Sequence, residues 1–255
     1  MLKQLYLKSA YCVFLSLSAG LAQTLSDVTP LSPLLKAVPI DLRHVVSAVG
    51  DRFLVAGKER MVMRGTLSLG SAAPKSVVVI SEIPRRFSYQ EDSGSSVVTN
   101  GVATTANLSV DYLAVLQSLF EDALDGMLYQ VATAARFRPL MHRARTDDGK
   151  AKIYNGPYVD IYDLVLSEPS LGRTSQQKHF YFDSTTHLLS QVVYITGAPQ
   201  SLIKVATTFT NWQLVNGIQV PGTIARTENG AHKLTFTTTQ TTFGAALGSN
   251  TFVIH

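Results

Sequence analysis

The chain has 255 residues, of which 45% are hydrophobic and 16% charged, with a formal net charge of +4. That length allows one large domain or two small ones, and the apolar content excludes a disordered chain, a coiled coil and a highly charged nucleic-acid binder. Gly 17 and Pro 10 are ordinary values, so collagen-like and low-complexity readings go as well.

Lys3 and Lys8 precede an apolar run from Ala10 to Ala22 that holds Val13, Phe14, Leu15, Leu17 and Leu21. A basic stretch, a short apolar core and the small-residue end Gly20-Leu21-Ala22 predict a cleaved signal peptide over 1–22, with Gln23 beginning the mature chain. The competing reading is a membrane anchor. About 13 residues of helix reach only about 20 Å, against a bilayer core of about 30 Å. The single cysteine, Cys12, lies within the leader, so the exported chain has no disulfide and must be held by its core. Tyr11 and Ala10 before Cys12 do not suit lipidation of that cysteine. Without Lys3 and Lys8 the formal charge falls from +4 to about +2, which gives no nucleic-acid signal.

Residues 23–39, rich in Thr, Ser, Pro and Leu, read as an extended lead-in. Within 40–56, Leu42, Val45, Val46 and Val49 recur at helical spacing and Gly50 supplies a stop, which predicts a short helix. From Arg60 to Leu69 the pattern alternates, with Met61, Met63, Leu67 and Leu69 on one face and Val62, Arg64, Thr66 and Ser68 on the other. Strands follow over Ser76 to Ile83, Arg86 to Gln90 and Val97 to Thr105, giving an antiparallel meander of four.

The period changes at Ser109. Leu113, Leu116, Phe120, Leu124, Met127 and Val131 recur at three and four residues, so 109 to about 136 reads as an amphipathic helical insert. Ser109 is its expected N-cap, Asp125-Gly126 its expected break, and Glu121, Asp122 and Asp125 are expected on the side away from the sheet. Strands then resume over Lys152 to Leu166, Lys178 to Asp183, Leu188 to Thr196, Ile203 to Leu214, Gln219 to Arg226 and His232 to Thr242. Asn216-Gly217 and Asn229-Gly230 suit type I′ hairpin turns. About ten strands and one helical segment argue one antiparallel sheet with helices on one face. Phe209 and Trp212 are expected on its strands, with Trp212 partly buried.

Motifs for metal binding, nucleophile elbows and phosphate loops do not occur, and His44, His142, His179, His187, His232 and His255 are scattered singly. Neither a metal nor any other cofactor is expected. Asp160 and Asp163, three apart on a strand, should face opposite sides and cannot act as a carboxylate pair. Asn107-Leu108-Ser109 is a glycosylation sequon that matters only in a eukaryotic secretory route. The remaining feature is apolar strand surface, which either fills a core or lines a cavity for an apolar ligand.

The order of short motifs carries a resemblance. A strand holds Arg64-Gly65-Thr66-Leu67, another ends in Glu82-Ile83-Pro84-Arg85-Arg86-Phe87, and Val98-Thr99-Asn100-Gly101 precedes the helices. Then come Phe180-Tyr181-Phe182-Asp183 to Leu188-Leu189, Phe209-Thr210-Asn211-Trp212, Val215-Asn216-Gly217-Ile218-Gln219-Val220-Pro221 and a closing Thr251-Phe252-Val253-Ile254. Across most of 40–254 this resembles the exported outer-membrane lipoprotein-sorting, LolA-like proteins. The resemblance implies an α+β fold: one domain over 40–255, built as a curved antiparallel β half-barrel with helices covering its concave face. It also implies a cavity for lipid or lipoprotein acyl chains; the expectation is a non-enzymatic periplasmic protein, a monomer, with no transmembrane span because no later stretch approaches 18 uninterrupted apolar residues. Met61, Met63 and Leu67 on the sheet and Leu116, Phe120 and Met127 on the helices are the candidate cavity lining. The alternative is a cell-envelope interaction or structural module with a filled core, and a hydrolase ranks last.

Overall fold

The computed structural model describes residues 42–244, apart from 55–56, 83–85, 93, 95, 101–102, 107–109, 134–136, 146–157, 167–175 and 199. The leader, the lead-in, Ser109 with its sequon and the closing Thr251 to Ile254 lie outside the described residues.

The chain enters through a short helix, α1 (Arg43–Ala48), and a 3-10 turn at Arg52–Leu54. Leu42, Val45, Val46 and Val49 are buried, as their spacing predicts, but the helix is shorter than its sequence window because the chain turns after Val49. Five strands follow: β1 (Arg60–Leu69), β2 (Lys75–Glu82), β3 (Arg86–Glu91), β4 (Ser96–Asn100) and β5 (Ala103–Ala106). The run expected as one strand over Val97 to Thr105 is a hairpin instead, with Asn100 opposite Ala103. Helices α2 (Val110–Glu121) and α3 (Leu124–Thr133) come next.

The second half contains β6 (Phe137–Arg145), β7 (Tyr158–Leu166), β8 (Gln176–Asp183), β9 (Leu189–Thr196) and β10 (Ile203–Thr210). It ends with β11 (Gln213–Val215), β12 (Ile218–Val220), β13 (Thr223–Glu228) and β14 (Ala231–Phe243). Strand β6 has no counterpart in the sequence reading. Its Pro139 and its arginines blur a strand pattern, and the proline is tolerated because β6 is an edge whose pairing with β7 is irregular between Arg138 and His142.

Twelve strands form one antiparallel sheet in the order β5-β4-β3-β2-β1-β14-β13-β10-β9-β8-β7-β6, and β11 pairs with β12 apart from it. Each half of the chain is thus a meander, and the pairing of β14 with β1 joins them. The sheet is not closed, and β5 and β6 are its two edges. At Asn216-Gly217 and Asn229-Gly230 all four residues have φ between 49° and 81°, the geometry a type I′ turn requires.

One cross-strand row shows how the sheet builds its core. Leu67 lies opposite Phe236, Phe236 opposite Ile224, and Ile224 opposite Phe209, and all four are buried. Val62, expected on the solvent face of β1, is also buried, in a row on the opposite face with Ile80, Ser88 and Val98. Trp212 is not on a strand. It sits between β10 and β11, partly buried against the core.

The helical insert divides at Asp122-Ala123, not at Asp125-Gly126. Gly126 lies inside α3, and its role is close packing: a Cβ there would stand 2.2 Å from the Phe120 carbonyl oxygen. The glycine lets the start of α3 press against the end of α2.

Candidate functional site

The apolar stripe of the helices and the Met61 face of the sheet belong to one core cluster. Within it lies a cavity of about 50 Å³. Its wall combines Met61, Met63, Val79 and Phe87 from the sheet with Leu119, Phe120 and Leu124 from the helices. Val49 and Phe53 from the entry segment, and Phe209, Trp212, Val220 and Pro221 from the region of the β11–β12 hairpin, also line it. Of the six candidate residues, the structure places Met61, Met63 and Phe120 on the wall of this cavity and Leu67, Leu116 and Met127 in the core around it.

The polar part of the wall is Arg52, Ser81, Asp125 and Gln219, and the first three form one cluster. Arg52 donates from Nη1 to Asp125 Oδ1 at 2.7 Å, and the Ser81 hydroxyl donates to Asp125 Oδ2 at 2.9 Å. The other guanidinium nitrogens reach the Lys58 and Glu59 carbonyls, at 3.1 and 3.4 Å. This pair is buried on both sides, so each charge depends on its partner.

A second buried cluster grips the neighbouring carboxylate. Asp122, fully buried, accepts from Lys178 Nζ at 2.8 Å, Thr207 Oγ1 at 2.8 Å and the Tyr194 hydroxyl at 3.3 Å. Arg226 donates to the Tyr194 hydroxyl at 2.9 Å and to Glu228, so two cations face two carboxylates. Burial pushes the Lys178 ammonium down, but the charges of Asp122, Tyr194 and Glu121 and the hydrogen bond to Asp122 outweigh it, and the net shift is upward. Burial and Asp122 push the Tyr194 hydroxyl up to about 12.

Asp122 and Asp125 therefore face the sheet, not the solvent side of the helices on which the sequence reading puts them. An amphipathic count assigns carboxylates to the wet side, and it cannot see strand residues that supply buried cations. The signal that was available is the pairing of two acidic residues with a helix break, set against lone basic residues in apolar strands. Asp160 and Asp163 do face opposite sides: Asp160 lies opposite Phe182, and Asp163 accepts from His179 at 2.6 Å on the other face.

Two solved structures share this architecture. A domain named for outer membrane lipoprotein sorting, from Vibrio parahaemolyticus, superimposes with a TM-score of 0.52 at 13% identity, over 82% of this chain and 94% of its own. A DUF1329 family protein from Desulfovibrio piger gives 0.53 at 9% identity, over 83% and 97%. The fold is LolA-like. A LolA superfamily protein from Nitrosomonas europaea matches at 0.48 and 12% identity, over 82% and 96%. No family model and no curated protein matches the chain. At these identities the likeness is one of fold, and a LolA-like fold does not by itself assign a cargo. Among the described residues no helix is long and apolar enough to cross a membrane.

Proposed function

We propose that this is an exported, non-enzymatic periplasmic protein that holds an acyl chain of a lipid or lipoprotein between its sheet and its helices. The observation that carries the reading is the apolar cavity walled by Met61 and Met63 on one side and by Leu119, Phe120 and Leu124 on the other. Methionine side chains adapt to changing contents, which suits a chain that enters and leaves. The name of the Vibrio parahaemolyticus neighbour adds support for lipoprotein cargo.

The topology supports a curved half-barrel with α2 and α3 over its concave face. The chain leaves the sheet at one edge, β5, and re-enters at the other, β6. Eleven strand spacings would put those edges about 50 Å apart in a flat sheet. Helices of 12 and 10 residues reach only about 18 and 15 Å. Curling the sheet brings its edges within easy reach and lays the helices across the hollow.

At about 50 Å³ the cavity is smaller than the roughly 150 Å³ that accommodates benzene in a dry protein interior. An acyl chain therefore enters only as α2 and α3 swing away from the sheet, and Arg52–Asp125 and Lys178–Asp122 are the contacts such a movement strains. The small volume also favours the second reading, an envelope interaction module whose interior is full. Native mass spectrometry of protein purified from its own envelope, with titration of a fluorescent fatty acid, separates the two. Bound lipid and saturable one-to-one probe binding are expected. A clean unliganded mass with no saturable binding would overturn the carrier reading and favour the module.

A further inference from the structure

We infer that His44, Asp160 and His187 form a binding site for one divalent transition-metal ion of the zinc class. The three come from separate places: His44 from α1, Asp160 from β7, and His187 from the turn between β8 and β9. Each offers one ligand atom, and these atoms lie within 4.8 Å of one another.

One ring nitrogen of the cluster is open to an ion. His187 Nδ1 is buried with no hydrogen-bond partner, and Asp160 Oδ2 stands 4.0 Å from it. That gap is too long for a hydrogen bond, and a buried ring nitrogen left unsatisfied is costly. An ion between the two would satisfy that ring nitrogen. A tetrahedral zinc with bonds of about 2.0 to 2.1 Å holds its ligand atoms about 3.3 Å apart, so the three side chains would draw together by at most about 1.5 Å.

The surroundings hold the ligands in place. Tyr162 OH lies 3.0 Å from His44 Nε2, which fixes that imidazole, and the two histidine rings meet edge to face at 4.7 Å. Asp183 Oδ1 accepts from the backbone N–H groups of Thr185 and Thr186, at 3.0 and 2.7 Å, and so braces the turn that presents His187. Two imidazoles and one carboxylate select first-row transition ions over magnesium and calcium, and leave a fourth position for water or an added ligand. Bound there, the ion would staple α1 to β7. Val49 and Phe53, which follow His44 in the chain, line the cavity, so the metal would also brace that wall.

The test is calorimetric titration of the untagged chain with ZnCl2, with visible absorption on CoCl2 addition as a second readout. One equivalent is expected to bind, with a ligand-field spectrum of low coordination number. Asp160→Asn and His187→Asn should each weaken binding at least about tenfold. Asparagine tolerates the φ of 58° at position 187, so the turn survives the change. Far-UV circular dichroism and the metal-free unfolding midpoint check that the variants fold. His232→Asn, at a histidine that bonds the Gly70 carbonyl far along the sheet, should leave binding unchanged. No one-to-one binding to the parent chain, equal affinity in His187→Asn, or an equal loss in His232→Asn would overturn the proposal.

Discussion

Asp122 and Asp125, three residues apart at the junction of two helices, send their carboxylates into two separate buried clusters: Asp122 to Lys178 at 2.8 Å and Asp125 to Arg52 at 2.7 Å. One short turn is thereby held at two points, by a cation that precedes it in the sequence and one that follows it. Most of the behaviour expected of this protein on mutation or pH change traces to that junction.

Asp122→Ala should cost about 3 to 5 kcal/mol, because it leaves Lys178 buried with its charge uncompensated, while Arg226 keeps Glu228. Replacing the pair together, as Asp122→Asn with Lys178→Met, should recover a substantial part of that loss. Urea unfolding of the two variants and the parent measures the difference.

Stability should fall on the alkaline side. Lys178 is raised above 10.5 and Tyr194 from 10.0 to about 12. Both groups hold their protons more tightly folded than unfolded, so their contribution is complete below about pH 10 and is lost as pH climbs towards about 12. Unfolding free energy measured from pH 9 to 12 should show this decline, and Tyr194→Phe should flatten it.

Gly126→Ala should destabilise by about 1 to 3 kcal/mol, since its Cβ would meet the Phe120 carbonyl oxygen at 2.2 Å and force α2 and α3 apart. An unchanged thermal midpoint would show that the junction yields more easily than its packing suggests.

Met63→Trp fills the cavity from the sheet side. The indole exceeds the space available, so a loss of about 1 to 3 kcal/mol is expected, together with weaker binding of a fluorescent fatty acid. Lost stability with unchanged probe affinity would remove Met63 from the acyl site.

Material recovered after export should begin at or within a few residues of Gln23. N-terminal sequencing decides this, and an intact Met1 on membrane-bound protein would reverse it.

The residues of this chain determined local structure wherever a side chain's fate depends on its near neighbours. Alternation over Arg60 to Leu69 gave β1 its bounds and its buried methionines, and Asn216-Gly217 and Asn229-Gly230 gave their turns, because these outcomes are written within a few consecutive positions. The helical stripe over Leu113 to Val131 was legible for the same reason. What only the tertiary structure decided were pairings between distant positions. Asp122 meets a lysine 56 residues away, Asp125 an arginine 73 residues away, and His44 a tyrosine 118 residues away. No local pattern encodes such partners, because whether a charge or an imidazole can be buried depends on which strand lies beside it after the sheet has formed.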